Sequence, residues 1–190
     1  MIYFLYGEDS YRSKKKLKEI IAEYKKVHKS GLNLTYIDVK ESDYADFSQN
    51  LKTASMFAEK KLLVLKNFFG KSKKEDGESL SVFQEKFLET ISQLKEANDI
   101  IIVYEDTLPD QRTKAFKSLQ KHAKCQEFEF LQPAQLRKWV AGELEKLGVK
   151  IDSRALDLLV ASAGNDLWRM SNEISKLANY KKSGVIEKKD

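Results

Sequence analysis

A chain of 190 residues with 42% hydrophobic and 33% charged side chains can bury a substantial core, and its composition is that of an ordinary soluble globular protein of one or two domains. The 34 basic and 29 acidic residues leave a net charge of +5, which is compatible with a nucleic-acid or acidic partner but does not demand one. A single cysteine, Cys125, excludes an internal disulfide and fits a reducing cytoplasm. The apolar run Ile2–Tyr6 stops at Gly7, too short for a signal peptide, and no stretch approaches the about 20 apolar residues that cross a membrane.

Ile2-Tyr3-Phe4-Leu5-Tyr6 reads as a first strand ended by Gly7. A helix follows with Asp9 or Ser10 as N-cap and Leu17, Ile20, Ile21, Tyr24 and Val27 as its apolar stripe. Lys14, Lys15, Lys16 and Lys18 crowd its early turns, where cations oppose the macrodipole; a solvated face accounts for them. Leu34–Val39 is a second strand, followed by a helix starting near Ser42 or Asp43, in which Phe47 and Leu51 face inward. Leu62–Leu65, an unbroken apolar run between lysines, reads as a strand buried on both faces, as central parallel strands are. Met56 and Phe57 stand just before it, in a connection that should be polar. They are surplus to the inward pattern. On the residues alone the pair either plugs the end of the sheet or forms an anchor for a partner's pocket.

Gly70–Ser79 is a charged, glycine-containing loop. Leu80, Phe83, Phe87, Ile91 and Leu94 make a long amphipathic helix, Ile100–Tyr104 a buried strand, and Pro109-Asp110 opens a helix through Phe116 and Leu119. Gln126–Phe130 is the last strand, with Phe128 and Phe130 on one face. Strands alternating with helices predict a parallel α/β sheet over 1–131. From Gln132-Pro133 onward only three helices are expected, a small helical domain over 132–190. Leu136, Trp139, Val140, Leu144 and Leu147 face inward on the first, which stops at Gly148. Leu156, Leu159, Val160 and Ala163 line the second, and Leu167, Met170, Ile174 and Leu177 the third, after Gly164-Asn165-Asp166. The basic tail Lys181–Asp190 carries no cap or closing element, and the chain looks cut short there.

Gly7, after the first strand, stands where a phosphate-binding loop would begin. That loop needs G-x-x-x-x-G-K-[ST], so that backbone N–H groups cradle phosphate. Gly7-Glu8-Asp9-Ser10-Tyr11-Arg12-Ser13 lacks the second glycine and the Gly-Lys-Ser/Thr, and puts two carboxylates at the anion site. ATP binding is rejected on these electrostatics. Tyr104-Glu105-Asp106 superficially suggests a magnesium-holding acidic pair, but without a phosphate loop it reads as a strand ending in a polar turn. His28, His122 and Cys125 have no zinc-ligand spacing, and no Ser/His/Asp or Cys/His set stands out. No catalysis, cofactor or metal is expected.

An α/β domain of ATPase type, a degenerate phosphate loop and a helical lid together resemble the delta subunit family of the bacterial DNA polymerase III clamp loader. The residues that carry the resemblance are Ile2–Asp9, Met56–Asn67, Leu136–Trp139 and Gly164–Arg169, in the right order across nearly all of the chain. It implies an AAA+-like, parallel-sheet domain followed by the lid, without the family's C-terminal collar domain. It also implies a cytoplasmic, non-catalytic component of a nucleotidyltransferase holoenzyme in DNA replication. Its partners would be the sliding clamp (beta subunit), the other loader subunits and primer-template DNA. The family's clamp-opening hydrophobic pair falls on Met56 and Phe57, with methionine where an aliphatic residue is usual. Lys60, Lys61 and Lys66 flank the strand and either meet acidic clamp surface or DNA, Lys60 and Lys61 being the supporting contacts, or solubilise the strand ends. Arg169 stands where related ATPases sense nucleotide and is expected at the surface or in packing. The alternatives are a functional AAA+ ATPase or a general DNA-binding module using the basic first helix and tail.

Overall fold

Parallel strands cannot be joined by a tight turn, so each is followed by a crossover lying on one face of the sheet. The computed structural model describes residues 1–53, 59–70, 80–96 and 98–190, and the chain divides into two units, Met1–Phe128 and Glu129–Asp190. The first unit contains β1 (Ile2–Tyr6), α1 (Ser10–Val27), β2 (Leu34–Asp38), α2 (Tyr44–Lys52), β3 (Leu62–Lys66), α3 (Leu80–Glu96), β4 (Ile100–Tyr104), α4 (Lys114–His122) and β5 (Lys124–Glu127). The strands form one parallel sheet in the order β2-β3-β4-β1-β5.

That order fixes where the helices lie. The chain leaves β1 for the far edge at β2, then steps back through β3 and β4 and over β1 to β5. Right-handed crossovers that travel in opposite directions put their helices on opposite faces. The buried residues divide accordingly. Leu17, Ile21 and Tyr24 of α1 pack with Leu5, Leu62, Val64 and Ile102 on one face. Phe47 of α2, Phe83, Phe87 and Ile91 of α3, and Phe116 and Leu119 of α4 pack with Phe4, Leu63, Leu65 and Val103 on the other. Alternate residues of β3 thus serve opposite faces, which is why its sequence is an unbroken apolar run. The second face is aromatic, with Phe47 and Phe87 ring centroids 5.6 Å apart and Phe68 and Phe87 5.1 Å apart.

The second unit holds α5 (Pro133–Lys146), β6 (Val149–Ile151), α6 (Ser153–Ala163), α7 (Leu167–Lys181) and β7 (Gly184–Ile186). Pro133 occupies the first turn of α5, and Gly148, at φ 78°, follows its end. Asp152 and Asp166 cap α6 and α7 by accepting from the backbone N–H of Ala155 (2.7 Å) and Arg169 (3.0 Å). Leu136, Val140, Leu144, Leu159, Met170 and Ile174 form the interior.

Four expectations are corrected. Two short parallel strands, β6 and β7, join the three helices, so the tail does contain a closing element: Ile186 is buried opposite Ile151, and the Lys181 ammonium pairs with Asp190 at 2.7 Å. β7 has only two apolar residues between polar runs, too little pattern to read as a strand. β5 begins and ends earlier than Gln126–Phe130, with Phe128 buried beyond its end and Phe130 exposed, because backbone pairing to β1 at the sheet edge needs no apolar alternation. α4 starts at Lys114 under Thr113, not at Pro109-Asp110. The Asp110 carboxylate instead accepts from the N–H of Arg112 (3.0 Å), closing a turn of its own. Leu147 is exposed because α5 ends there and the chain turns through Gly148. The charged 71–79 stretch lies outside the described residues.

Truncating Phe47, which is fully buried among these rings, is expected to destabilise the first unit by about 3–5 kcal/mol. Urea denaturation of Phe47→Ala followed by circular dichroism measures it.

Candidate functional site

In an open parallel sheet, ligands bind beyond the carboxyl ends of the strands where the chain switches direction. Here that point lies beside β1, whose neighbours are β4 and β5. Three main-chain donors around it bond the protein's own backbone. Gly7 N–H donates to Thr107 O at 3.1 Å, Asp9 N–H to Phe128 O at 2.9 Å, and Phe128 N–H to Tyr6 O at 2.8 Å. Gly7, at φ 136°, lies so close to the backbone of Phe128 that a Cβ would come within 2.4 Å of its carbonyl oxygen. Only glycine fits there.

The side chains turn inward as well. Asp9, 3% exposed, caps α1 by accepting from Arg12 N–H at 2.9 Å, while Arg12 Nε donates to its other oxygen at 2.6 Å. A carboxylate thus takes the place an anionic ligand would have at this helix N-terminus. The Ser13 hydroxyl is fully buried, donating to Ser10 O at 3.2 Å and lying 3.4 Å from the Tyr104 hydroxyl. Glu105 is buried at the end of β4, and its Oε1 accepts from Phe69 N–H at 3.1 Å. Burial pushes its carboxyl up from 4.5 to about 7, assisted by Asp106 and opposed by the Phe69 and Phe68 N–H groups and by Lys40. Backbone and carboxylates of the protein itself take up this end of the sheet.

The opposite edge, at the amino ends of the strands, is built around the start of β3. Met56 and Phe57 lie outside the described residues, 1–53 and 59–70 being described on either side of them. Lys60 is exposed. Lys61 is not an outward-facing cation: its ammonium donates to Asn50 O (2.6 Å), Leu51 O (2.8 Å) and Thr53 O, at the end of α2. Glu59 accepts from the Ser30 hydroxyl and from Asn33 Nδ2 (3.3 Å), and the Ser30 bond foremost holds its carboxyl below the ordinary range. The Tyr24 hydroxyl donates to Lys60 O at 2.6 Å. Lys66 sits at the other end of β3, its Nζ 5.1 Å from the Tyr36 ring centroid. Arg169 is exposed in the second unit.

The sequence reading missed the parts played by Lys61, Glu59 and Glu105. A polar pair closing an apolar strand was the signal for Glu105; no spacing announces that Lys61 reaches back eight or more residues. His28 stacks near the Tyr24 ring (4.6 Å), and the Cys125 thiol lies 3.7 Å from Leu119 O and Ala123 O. Among the described residues no group of three or more His, Cys, Asp or Glu side chains is placed to hold a metal ion, and no helix is long and apolar enough to cross a membrane.

Against this geometry, the family model described as DNA polymerase III, delta subunit, matches residues 3–129. The chain belongs to that family. It is 23% identical over 189 positions to a protein described as probable DNA polymerase III subunit delta from Aquifex aeolicus (strain VF5), covering 94% of this chain and 50% of that relative. Its fold is similar to that of a Bacillus subtilis DNA clamp loader delta protein (YqeN), with a TM-score of 0.59 and 22% identity over 98% of this chain and 55% of that one. The chain therefore spans about half the length of these delta relatives.

Linkage gives the buried Glu105 a pH signature. The native state holds its proton to a higher pH than the unfolded state does, so the stability it contributes is complete below 4.5 and is lost as pH rises through about 7. Glu105→Gln, which keeps an acceptor for Phe69, is expected to flatten that slope. The variant should also be more stable than the wild type above pH 7 by on the order of 2 to 3 kcal/mol. Denaturant midpoints across the pH range measure both.

Proposed function

We propose that this chain is the clamp-binding part of a clamp-loader delta subunit and that it acts in DNA replication without catalysing a reaction itself. Met56 and Phe57 insert into a hydrophobic pocket of the sliding clamp, the beta subunit, and favour the open ring. The observation that carries the reading is the coincidence of family membership with a closed nucleotide crevice. A domain of ATPase type whose phosphate-site donors bond its own backbone has no catalytic use for that edge, and is left as a binding body. Two further features support it. The segment Met56-Phe57 stands four residues before β3, the strand buried on both faces. Lys60, exposed just ahead of β3, is a cation that an acidic partner could meet.

Opening a ring requires more than affinity. A ligand that binds the closed and open forms equally well shifts nothing, so the contact must be better in the open state. Assembly with other loader subunits and contact with primer-template DNA are properties of the longer protein, of which this chain spans about half.

Replacing both residues of the pair, Met56→Ala with Phe57→Ala, should leave the circular dichroism spectrum and thermal midpoint unchanged. It should also remove binding to a purified sliding clamp in surface plasmon resonance, each buried anchor of this kind contributing ~2–4 kcal/mol. Clamp affinity retained by the double variant would sink the reading.

A further inference from the structure

We propose that the sheet surface between α1 and the β2 edge, formed by Tyr36, Lys66, Lys18 and Lys25, binds single-stranded nucleic acid. A base stacks on the Tyr36 ring and the lysines hold the phosphates. This inference does not depend on the clamp reading. Five strands present more surface than one helix covers, and among the described residues α1 is the only helix packed on its face. The Ser13 hydroxyl lies 3.4 Å from the Tyr104 hydroxyl, which sets the first turn of α1 by the end of β4. The Tyr24 hydroxyl donates to Lys60 O at 2.6 Å, which sets its last turns by the start of β3. The helix thus crosses β4 and β3 and leaves the edge strand β2 uncovered. Leu34 of β2 packs with the α1 cluster and Ile37 with the aromatic one. By alternation Tyr36 stands on the α1 face, where it is 52% exposed.

Cations gather around that ring. Lys66 lies on the same face of β3 as Leu62 and Val64, with its ammonium 5.1 Å from the Tyr36 ring centroid. Lys18 and Lys25, both exposed, are seven residues apart and share one stripe of α1, beside the buried Ile21. In a right-handed crossover from β1 to β2, a right-handed helix turns that flank toward β2. The acids of α1 lie on another flank, where Glu19 pairs with Lys16 (3.6 Å) and Glu23 with Lys26 (2.6 Å). Asp38, the acid of β2 on this face, accepts from Asn67 Nδ2 (2.8 Å) and from the Lys40 N–H (3.0 Å). An exposed ring among ammonium groups matches a polyanion that also has flat apolar faces. An acidic peptide would use the charges and leave the ring idle, and a duplex keeps its bases stacked on one another. A single strand uses both.

The test follows binding of the whole 190-residue chain to a fluorescein-labelled dT strand of about 20 nucleotides by fluorescence anisotropy. A duplex of the same length and poly-glutamate serve as competitors. The wild type should bind the single strand, with log K falling against log salt at a slope of about −2, as three lysines meeting phosphates require. Tyr36→Ala should weaken binding ~tenfold and leave that slope unchanged, while Tyr36→Phe, which keeps the ring, binds as the wild type does. Lys66→Gln, and separately Lys18→Gln with Lys25→Gln, should flatten the slope by about 0.7 for each lysine removed. Circular dichroism checks that each variant is folded. The proposal is overturned if the wild type does not bind at low salt, or if the lysine variants keep the full slope. Unchanged affinity in Tyr36→Ala overturns it as well, leaving a charged surface without stacking. Displacement by the duplex or by poly-glutamate as effective as by unlabelled dT overturns it in favour of that other occupant.

Discussion

The two edges of a parallel sheet are electrostatically unlike, because all the strands run one way and all the crossover helices run the other. Helix N-termini, with their unpaired N–H groups, gather at the carboxyl edge, and helix C-termini, with unpaired carbonyls, at the amino edge. The first edge attracts anions and the second cations. In this chain each attraction is met internally. Asp9 supplies the anion at the start of α1, and Lys61 supplies the cation at the end of α2. A carboxylate thus stands at the carboxyl edge where an anionic ligand would lie, and a lysine stands at the carbonyls that end α2 on the amino edge.

Closure of the carboxyl edge involves more than one carboxylate. Phe128 crosses the end of β1 and accepts from Asp9, Gly7 donates to Thr107, and Glu105 bonds the turn after β3. These contacts join the ends of β1, β3, β4 and β5. The fold has exchanged a ligand for backbone hydrogen bonds, at the cost of burying an acid whose ionised form is poorly solvated. A glutamate at this position is therefore a structural bracket whose strength depends on its proton. The conformational requirement falls on Gly7, where main chain passes too close for any side chain.

The sheet was legible in the sequence because its central strands are continuous apolar runs. Leu62–Leu65 and Ile100–Tyr104 can be satisfied only by burial on two faces, and the aromatic stripe of Phe83, Phe87 and Ile91 by a helix over one of them. The Asp166 cap and the turn at Gly148 were legible for the same reason, each being a local rule, and the cap of α1 was narrowed to Asp9 or Ser10. The parts that were not legible depend on distant partners. β5 is set by backbone pairing to β1, so its Lys-Cys-Gln-Glu sequence carries no pattern, and β7 is set by pairing to β6. The missing second glycine and the acidic residues after β1 indicated that the phosphate site was lost. That Phe128 would cross it could not be read, since its contact with Asp9 spans more than a hundred residues. Lys61 read either as a supporting contact to clamp or DNA or as a solubilising lysine at a strand end, because its acceptors are backbone carbonyls, which have no identity in a sequence.

The energetic scale of ring opening bears on why such rigidity matters. Moving a two-state equilibrium from one part in a hundred to its reverse takes about 5.5 kcal/mol of differential binding. One buried anchor is worth ~2–4 kcal/mol, and only that fraction of it which is lost against the closed ring counts toward opening. A pair of apolar side chains on a freely moving segment would follow the clamp pocket in either state, holding the ring without favouring one form. On the function proposed above, affinity would come from the oily side chains, and discrimination between the two rings from the stiffness of the double-faced sheet behind them.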